Sequence, residues 1–171
     1  MVLAYASVME GQIEADFKRA RRQAFLRRVL ARLRGECDRL LGFDEVRRAH
    51  RARNRLSLGT RVVEVSKIVG SVGRREDFDH GFMPVKESLR SKWKRVDLAF
   101  HRGEELPPIR LYKIGSRYFV EDGNHRVSVA RYQGVEMIDA EVTEFYSSPS
   151  ISAFREGTPL ATRRSFRGAA R

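Results

Sequence analysis

The sequence predicts a small α/β domain with a mixed sheet and packed helices, preceded by an arginine-rich helical arm. Three observations predict it. Apolar residues recur at steps of three and four from about Gln12 to Leu41, the period of a helix face. A β-branched cluster, Val62, Val63, Val65, Ile68 and Val69, follows Gly59 and suits strand. From Ile109 to Phe145 the pattern runs strand, turn, strand, helix, strand.

The arm presents Ile13, Phe17, Ala20, Ala24, Val29 or Leu30, Leu33, Cys37 and Leu40 on one face, with arginines and Lys18 between them. Gly35 weakens this helix by about 1 kcal/mol relative to alanine, and Gly42 is its expected stop. Asp44 is the expected N-cap of a short second helix through about Arg53. A strand over Val62–Val65 follows, then a polar loop from Gly70 to His80. A helix is expected from Val85 to Arg102, facing Leu89, Trp93, Val96 or Leu98, and Phe100 inward. Prolines at 107 and 108 enforce a loop. Ile109–Ile114 and Arg117–Glu121 then form a hairpin around Gly115-Ser116, a helix runs from Asn124 to Gln133 with Gly134 as its stop, and Met137–Phe145 is the closing strand. The expected division is a basic arm over 1–57, an α/β domain over 58–146 and a basic, flexible tail over 147–171.

A chain of 171 residues with 33 % charged and 42 % hydrophobic residues has room for one compact domain and an appendage. Its formal net charge of +12 attracts polyanions: nucleic acid, nucleotide phosphates or an acidic membrane surface. With Cys37 the sole cysteine, an internal disulfide and a cysteine-ligated zinc are excluded. No apolar run approaches the roughly 20 residues that span a bilayer. Met1 to Met9 lacks a basic leading region, so the expected location is the cytoplasm.

Asp122-Gly123-Asn124-His125-Arg126 follows a strand and opens a helix. Backbone N–H groups there lack helical partners, and the helix dipole adds positive character. A glycine lets a phosphate approach the backbone, and His125 and Arg126 add donors. Asp122 is expected to cap the helix, or to orient a magnesium ion or a hydroxyl nucleophile. The plain alternative is a capped strand-to-helix turn with a surface histidine and arginine.

The run LPPIRLYKIGSRYFVEDGNHRVSVARYQGVEMIDAEV resembles the ParB/sulfiredoxin superfamily in its order of parts. Upstream, VVEVSKIVGSVGRREDFD resembles the first ParB-type motif, so the likeness covers about Arg61 to Phe145. VEDGNHRVSVAR also looks like an uncharacterised bacterial family that carries nearly that string. Sulfiredoxins place a catalytic cysteine before the His-Arg pair; Asn124 stands there, which excludes sulfinic acid reduction. ParB clamps hold CTP with a Gly-Glu-Arg-Arg turn, which Gly123, His125 and Arg126 partly match. The turn is most similar to the Asp-Gly-His-His-Arg of ADP-dependent free-serine kinases, from which Asn124 departs. The resemblance implies a bound nucleotide, ATP, ADP or CTP, with Mg2+ as a companion. It also implies phosphate contacts from Gly123, Asn124, His125 and Arg126, from Arg74 and Arg75 in the basic loop, and from Lys92 and Arg95 on the preceding helix. Glu76 or Asp77 is the candidate general base, beside Asp122 and His125.

The arm's Arg19, Arg22, Arg27, Arg28 and Arg32 are candidate contacts to DNA or RNA, giving affinity without base readout. The other uses of such a helix are packing on the domain with its charge solvated, or lying on a membrane. The leading functional expectation is therefore a ParB-like nucleotide-binding protein associated with nucleic acid. The alternatives are a small phosphotransferase or nucleotide hydrolase and a non-catalytic interaction subunit, with a homodimer as one arrangement.

Overall fold

The computed structural model describes residues 2–147. Helix α1 spans Val2–Arg34. Gly35 ends it, with φ +68° and Glu36 N donating to Ala31 O at 2.8 Å. This left-handed closure supplies the carbonyl partners that a helix end needs, so the helix stops seven residues before Gly42. Ile13, Phe17, Ala20 and Ala24 are buried as their spacing predicts, whereas Val29, Leu30, Leu33 and Cys37 are exposed. Beyond Ala24 the inward positions are Arg27, which reaches the buried Asp79, and Ala31, so the face continues there without large apolar side chains.

Strand β1 is Leu41–Gly42 and helix α2 is Phe43–Ala49. Its N-cap is Gly42; Asp44 lies in the first turn without a capping bond, and the helix ends well before Arg53. Strand β2 is Asn54–Glu64, longer than the expected 62–65. A bulge between Ser57 and Gly59 lets it continue, and its length comes from pairing with a distant partner. A 3-10 turn at Val65–Lys67 leads into β3, Ile68–Ser71.

Helix α3, Arg90–His101, starts five residues later than Val85, after a 3-10 turn at Glu87–Leu89. Val85 N donates to Asp77 O, and Phe78 bridges Pro84, which holds this stretch extended. Strands β4, Ile109–Ile114, and β5, Arg117–Asp122, form the expected hairpin. Helix α4 is Asn124–Tyr132 and strand β6 is Met137–Tyr146.

The fold is mixed α/β, with one six-stranded sheet in the order β1-β3-β5-β4-β6-β2. Period-two alternation sends neighbouring side chains to opposite faces. Val120 joins a core with Ile68, Ile109 and Val127, while Phe119 joins Phe43, Ile114 and Phe145 under α2. On α4's side, Phe17, Ala20 and Ala24 of α1 pack with Trp93 and Val129. The arm is thus part of the domain's core, and a boundary after residue 57 would cut through β2. Most of the expected tail, 148–171, lies outside the described residues. Among the described residues no helix is long and apolar enough to cross a membrane.

Candidate functional site

Strand β5 delivers the chain to the head of α4 through Gly123, which adopts φ +104° and ψ 20° as the N-cap. A Cβ on Gly123 would stand 2.5 Å from Ile109 Cγ2 and 2.9 Å from Ile109 Cβ. Both the conformation and the packing therefore demand glycine. The cap offers no side chain to the first amides of α4, so these donors face outward.

Asp122 does not cap the helix. Its carboxylate accepts from Arg126 Nη2 at 2.8 Å across one helical turn. Arg126 Nη1 also donates to the carbonyls of Pro107 and Pro108. The Arg126 side chain, 15 % exposed, thereby ties the proline loop to α4. Its head is already occupied, which a reading of the turn as a row of phosphate donors does not foresee.

A cleft of about 740 Å³ opens over this turn. Gly123, Asn124, His125 and Arg126 form its floor with Asp122, and Arg74, Asp77, Lys92 and Arg95 stand along its walls. Val96, Ala99, Leu106 and Pro107 make an apolar side. The His125 ring meets the edge of Phe78 at 5.5 Å, and neither ring nitrogen has a partner although both are buried. Asn124 is buried as well, with Oδ1 unpartnered. Burial, then the positive charges of Arg74, Lys92 and Arg95, hold the His125 pKa down at about 4. Its imidazole is neutral at pH 7.

Two expected residues are elsewhere. Arg75 donates to Leu40 O at 3.1 Å and to Glu45 at 2.6 Å, lying against Gly42 as a brace between the loop and α2. Glu76 pairs with Arg39 at 3.2 Å and lines a different cavity, toward the end of α1. Asp77 is the loop carboxylate that reaches the cleft. It pairs with Lys86 at 2.6 Å and Arg74 at 3.0 Å, and these bonds outweigh burial, which pushes the other way, leaving its pKa lowered. Adjacent residues in an irregular loop point in different directions, and no periodicity announces which one turns inward. Phe78 gave no signal of its own beside His125, because sequence spacing does not show contacts between a loop and a helix.

The arm's arginines divide. Arg27 reaches the buried Asp79 carboxylate at 3.3 Å, and Arg19 lies 3.5 Å from Asp16. Arg22, Arg28 and Arg32 are exposed and make no ion pair with any described residue. They share the helix surface with exposed Phe25, Leu26 and Leu33.

No protein-family model matches the sequence, and no curated protein does. Among solved structures the chain is similar to sulfiredoxin from Arabidopsis thaliana, at 16 % identity and a TM-score of 0.37, over 48 % of this chain and 82 % of that one.

Proposed function

We propose that this protein binds a nucleotide by its phosphates in the cleft at the head of α4, and associates with nucleic acid through the exposed arginines of α1. The observation that carries the first part is the convergence of Arg74, Lys92 and Arg95 on His125, strong enough to help keep that ring uncharged. Arg74 is held by Asp77 and Arg126 by Asp122, and Glu104 and Glu121 also line the cleft. Lys92 and Arg95, however, have no carboxylate partner among the described residues, and together with the unpaired helical amides they suit an anion. The buried, unpartnered nitrogens of His125 and the Asn124 amide add polar atoms that a phosphate or ribose would satisfy. The cleft's volume suits a nucleotide, and its apolar side gives a base somewhere to lie.

The same charges argue against a magnesium ion held by protein alone at Asp122, whose carboxylate is already paired with Arg126. The residues fit a cation that enters with the phosphates it neutralises. Hydrolysis or transfer is not favoured by any particular contact, because Glu76 lines another cavity and Asp77 is paired with Lys86 and Arg74.

Calorimetric titration of the full chain with ATP, ADP, CTP and GTP, each with and without magnesium chloride, tests the reading. At least one nucleotide should bind with a Kd below about 100 µM, and Lys92→Gln with Arg95→Gln should weaken it at least tenfold. If none of the four binds at ~1 mM, the cleft is no nucleotide site.

A further inference from the structure

Away from the cleft, the seam joining α1, α3 and the end of α4 holds a second polar cluster. Asp16 comes from α1, and Asp97 and His101 share one face of α3 at i, i+4 spacing. Both carboxylates are buried, while His101 reaches solvent at one edge. His101 Nε2 lies 3.5 Å from Asp16 Oδ2 and 3.8 Å from Asp97 Oδ2, and one ligand atom of each residue lies within 4.8 Å of the other two.

The surrounding donors leave a gap. Asp16 Oδ1 accepts from Tyr132 at 2.9 Å and from Gln12 at 3.0 Å, the same Gln12 nitrogen reaches Oδ2 at 3.1 Å, and Arg19 lies 3.5 Å away. Asp97 Oδ1 accepts from Gln133 Nε2 at 2.8 Å, but Asp97 Oδ2, on a side chain with no exposed surface, has no donor. The Gln133 amide must turn its nitrogen to Asp97, because a carboxylate cannot donate. That nitrogen also lies 3.3 Å from His101 Nε2, which makes Nε2 an acceptor with a lone pair. Acceptors on three residues therefore face one another around a point that carries no donor of its own for Asp97 Oδ2. Such an arrangement calls for a positive charge at its centre.

We propose that Asp16, Asp97 and His101 bind one divalent transition cation, with Zn2+ the best match, and that it pins α1 to α3. Ligands about 2.0–2.1 Å from a tetrahedral zinc stand about 3.4 Å apart, close to the two measured edges. One imidazole with two carboxylates favours zinc over magnesium, and the exposed edge of His101 leaves the fourth position to water.

The full chain, stripped with a chelator and dialysed, should take up one zinc per molecule from zinc chloride in calorimetry, and magnesium chloride should give no comparable heat. At about 100 Kd of zinc the melting midpoint should rise by about 5 °C or more. Asp97→Asn keeps the shape of a buried side chain while removing its charge. His101→Ala trims a partly exposed ring, so at least one of these variants should fold. Each should weaken zinc binding at least tenfold and remove the rise in midpoint, whereas His80→Ala should change neither. Zinc binding that survives both cluster substitutions, or that His80→Ala abolishes, overturns the proposal. So does absence of uptake, with zinc leaving the midpoint of the parent chain unchanged.

Discussion

Trp93 Nε1 donates to Ser128 Oγ at 2.9 Å, and both side chains are fully buried where α3 crosses α4. Trp93 is the chain's one tryptophan, and Phe17 of α1 packs against its ring at 5.7 Å. Ser128→Ala leaves the indole N–H without a partner in the core. It should cost about 1–3 kcal/mol in urea unfolding, read from the fluorescence of that single indole. An unchanged midpoint would mean that the bond adds nothing beyond packing.

Arg27→Gln should destabilise through Asp79 rather than through any lost ligand. Burial raises the Asp79 carboxyl, and the Met83 N–H, then Arg27, pull it back. Without Arg27 the folded-state pKa rises further above the unfolded value. A carboxyl raised on folding loses stability as pH climbs through that interval. The variant should therefore lose about 1–3 kcal/mol at pH 7 and much less near pH 4. An equal loss at both pH values would point to packing alone.

His125 makes the opposite pH signature. Its pKa falls from 6.5 to about 4 on folding, chiefly through burial. The unfolded chain thus binds more protons between those values, and stability rises with pH across that window. The contribution is complete above about pH 6.5 and is lost as pH falls toward 4, amounting to about 1–3 kcal/mol after allowance for solvent screening. His125→Gln should flatten this segment of the stability curve. Proton NMR on the ring should also show its pKa rising when ATP occupies the cleft, if phosphate charge offsets Arg74 and Lys92.

Within the turn, Arg126→Ala and Gly123→Val are poor probes of binding. The first frees the carbonyls of Pro107 and Pro108, and the second drives a side chain into Ile109. Both should lower stability, Gly123→Val by about 2 kcal/mol or more. Lys92→Gln, on the exposed side of α3, should leave the melting midpoint within about 1–2 °C of the parent, since surface changes are worth about 0.5 kcal/mol at most. A large fall in that midpoint would show that Lys92 has a structural task.

For the arm, the informative set is Arg22, Arg28 and Arg32. If they meet phosphates, the logarithm of affinity for DNA or RNA should fall linearly with the logarithm of salt. Changing all three to glutamine should flatten that slope by about two to three units, at roughly 0.7–0.9 per phosphate. A parent chain that binds neither nucleic acid at ~50 mM salt, where attraction is least screened, removes the arm from the function.

The hairpin, the turn and α4 were legible because local chemistry decides them. Gly115 turns the hairpin, Gly123 opens α4, and alternation runs through β4 and β6. The strand β1 was not legible, since Leu41 and Gly42 form strand only through pairing with Gly70 and Ser71. The end of α1 is not fixed by its periodicity, because a glycine inside a periodic pattern can either be carried or close the helix, and the pattern continues to Leu40 although Gly35 closes it. In the cleft, Lys92 and Arg95, expected there from the resemblance, do line it on their helix, whereas Arg75 and Glu76 are carried elsewhere, since the loop's course is set by tertiary contacts.

Strand β2 finds its partner in β6, from Asn54 opposite Tyr146 to Glu64 opposite Met137. The buried stripe of α1 likewise waits for Trp93 and Val129. During synthesis both early elements leave the ribosome long before the residues that cover them, so assembly of this sheet is late and dominated by distant contacts. Until then the first helix must travel as a nascent, apolar-faced segment, and its dense positive charge is what discourages such segments from sticking to one another.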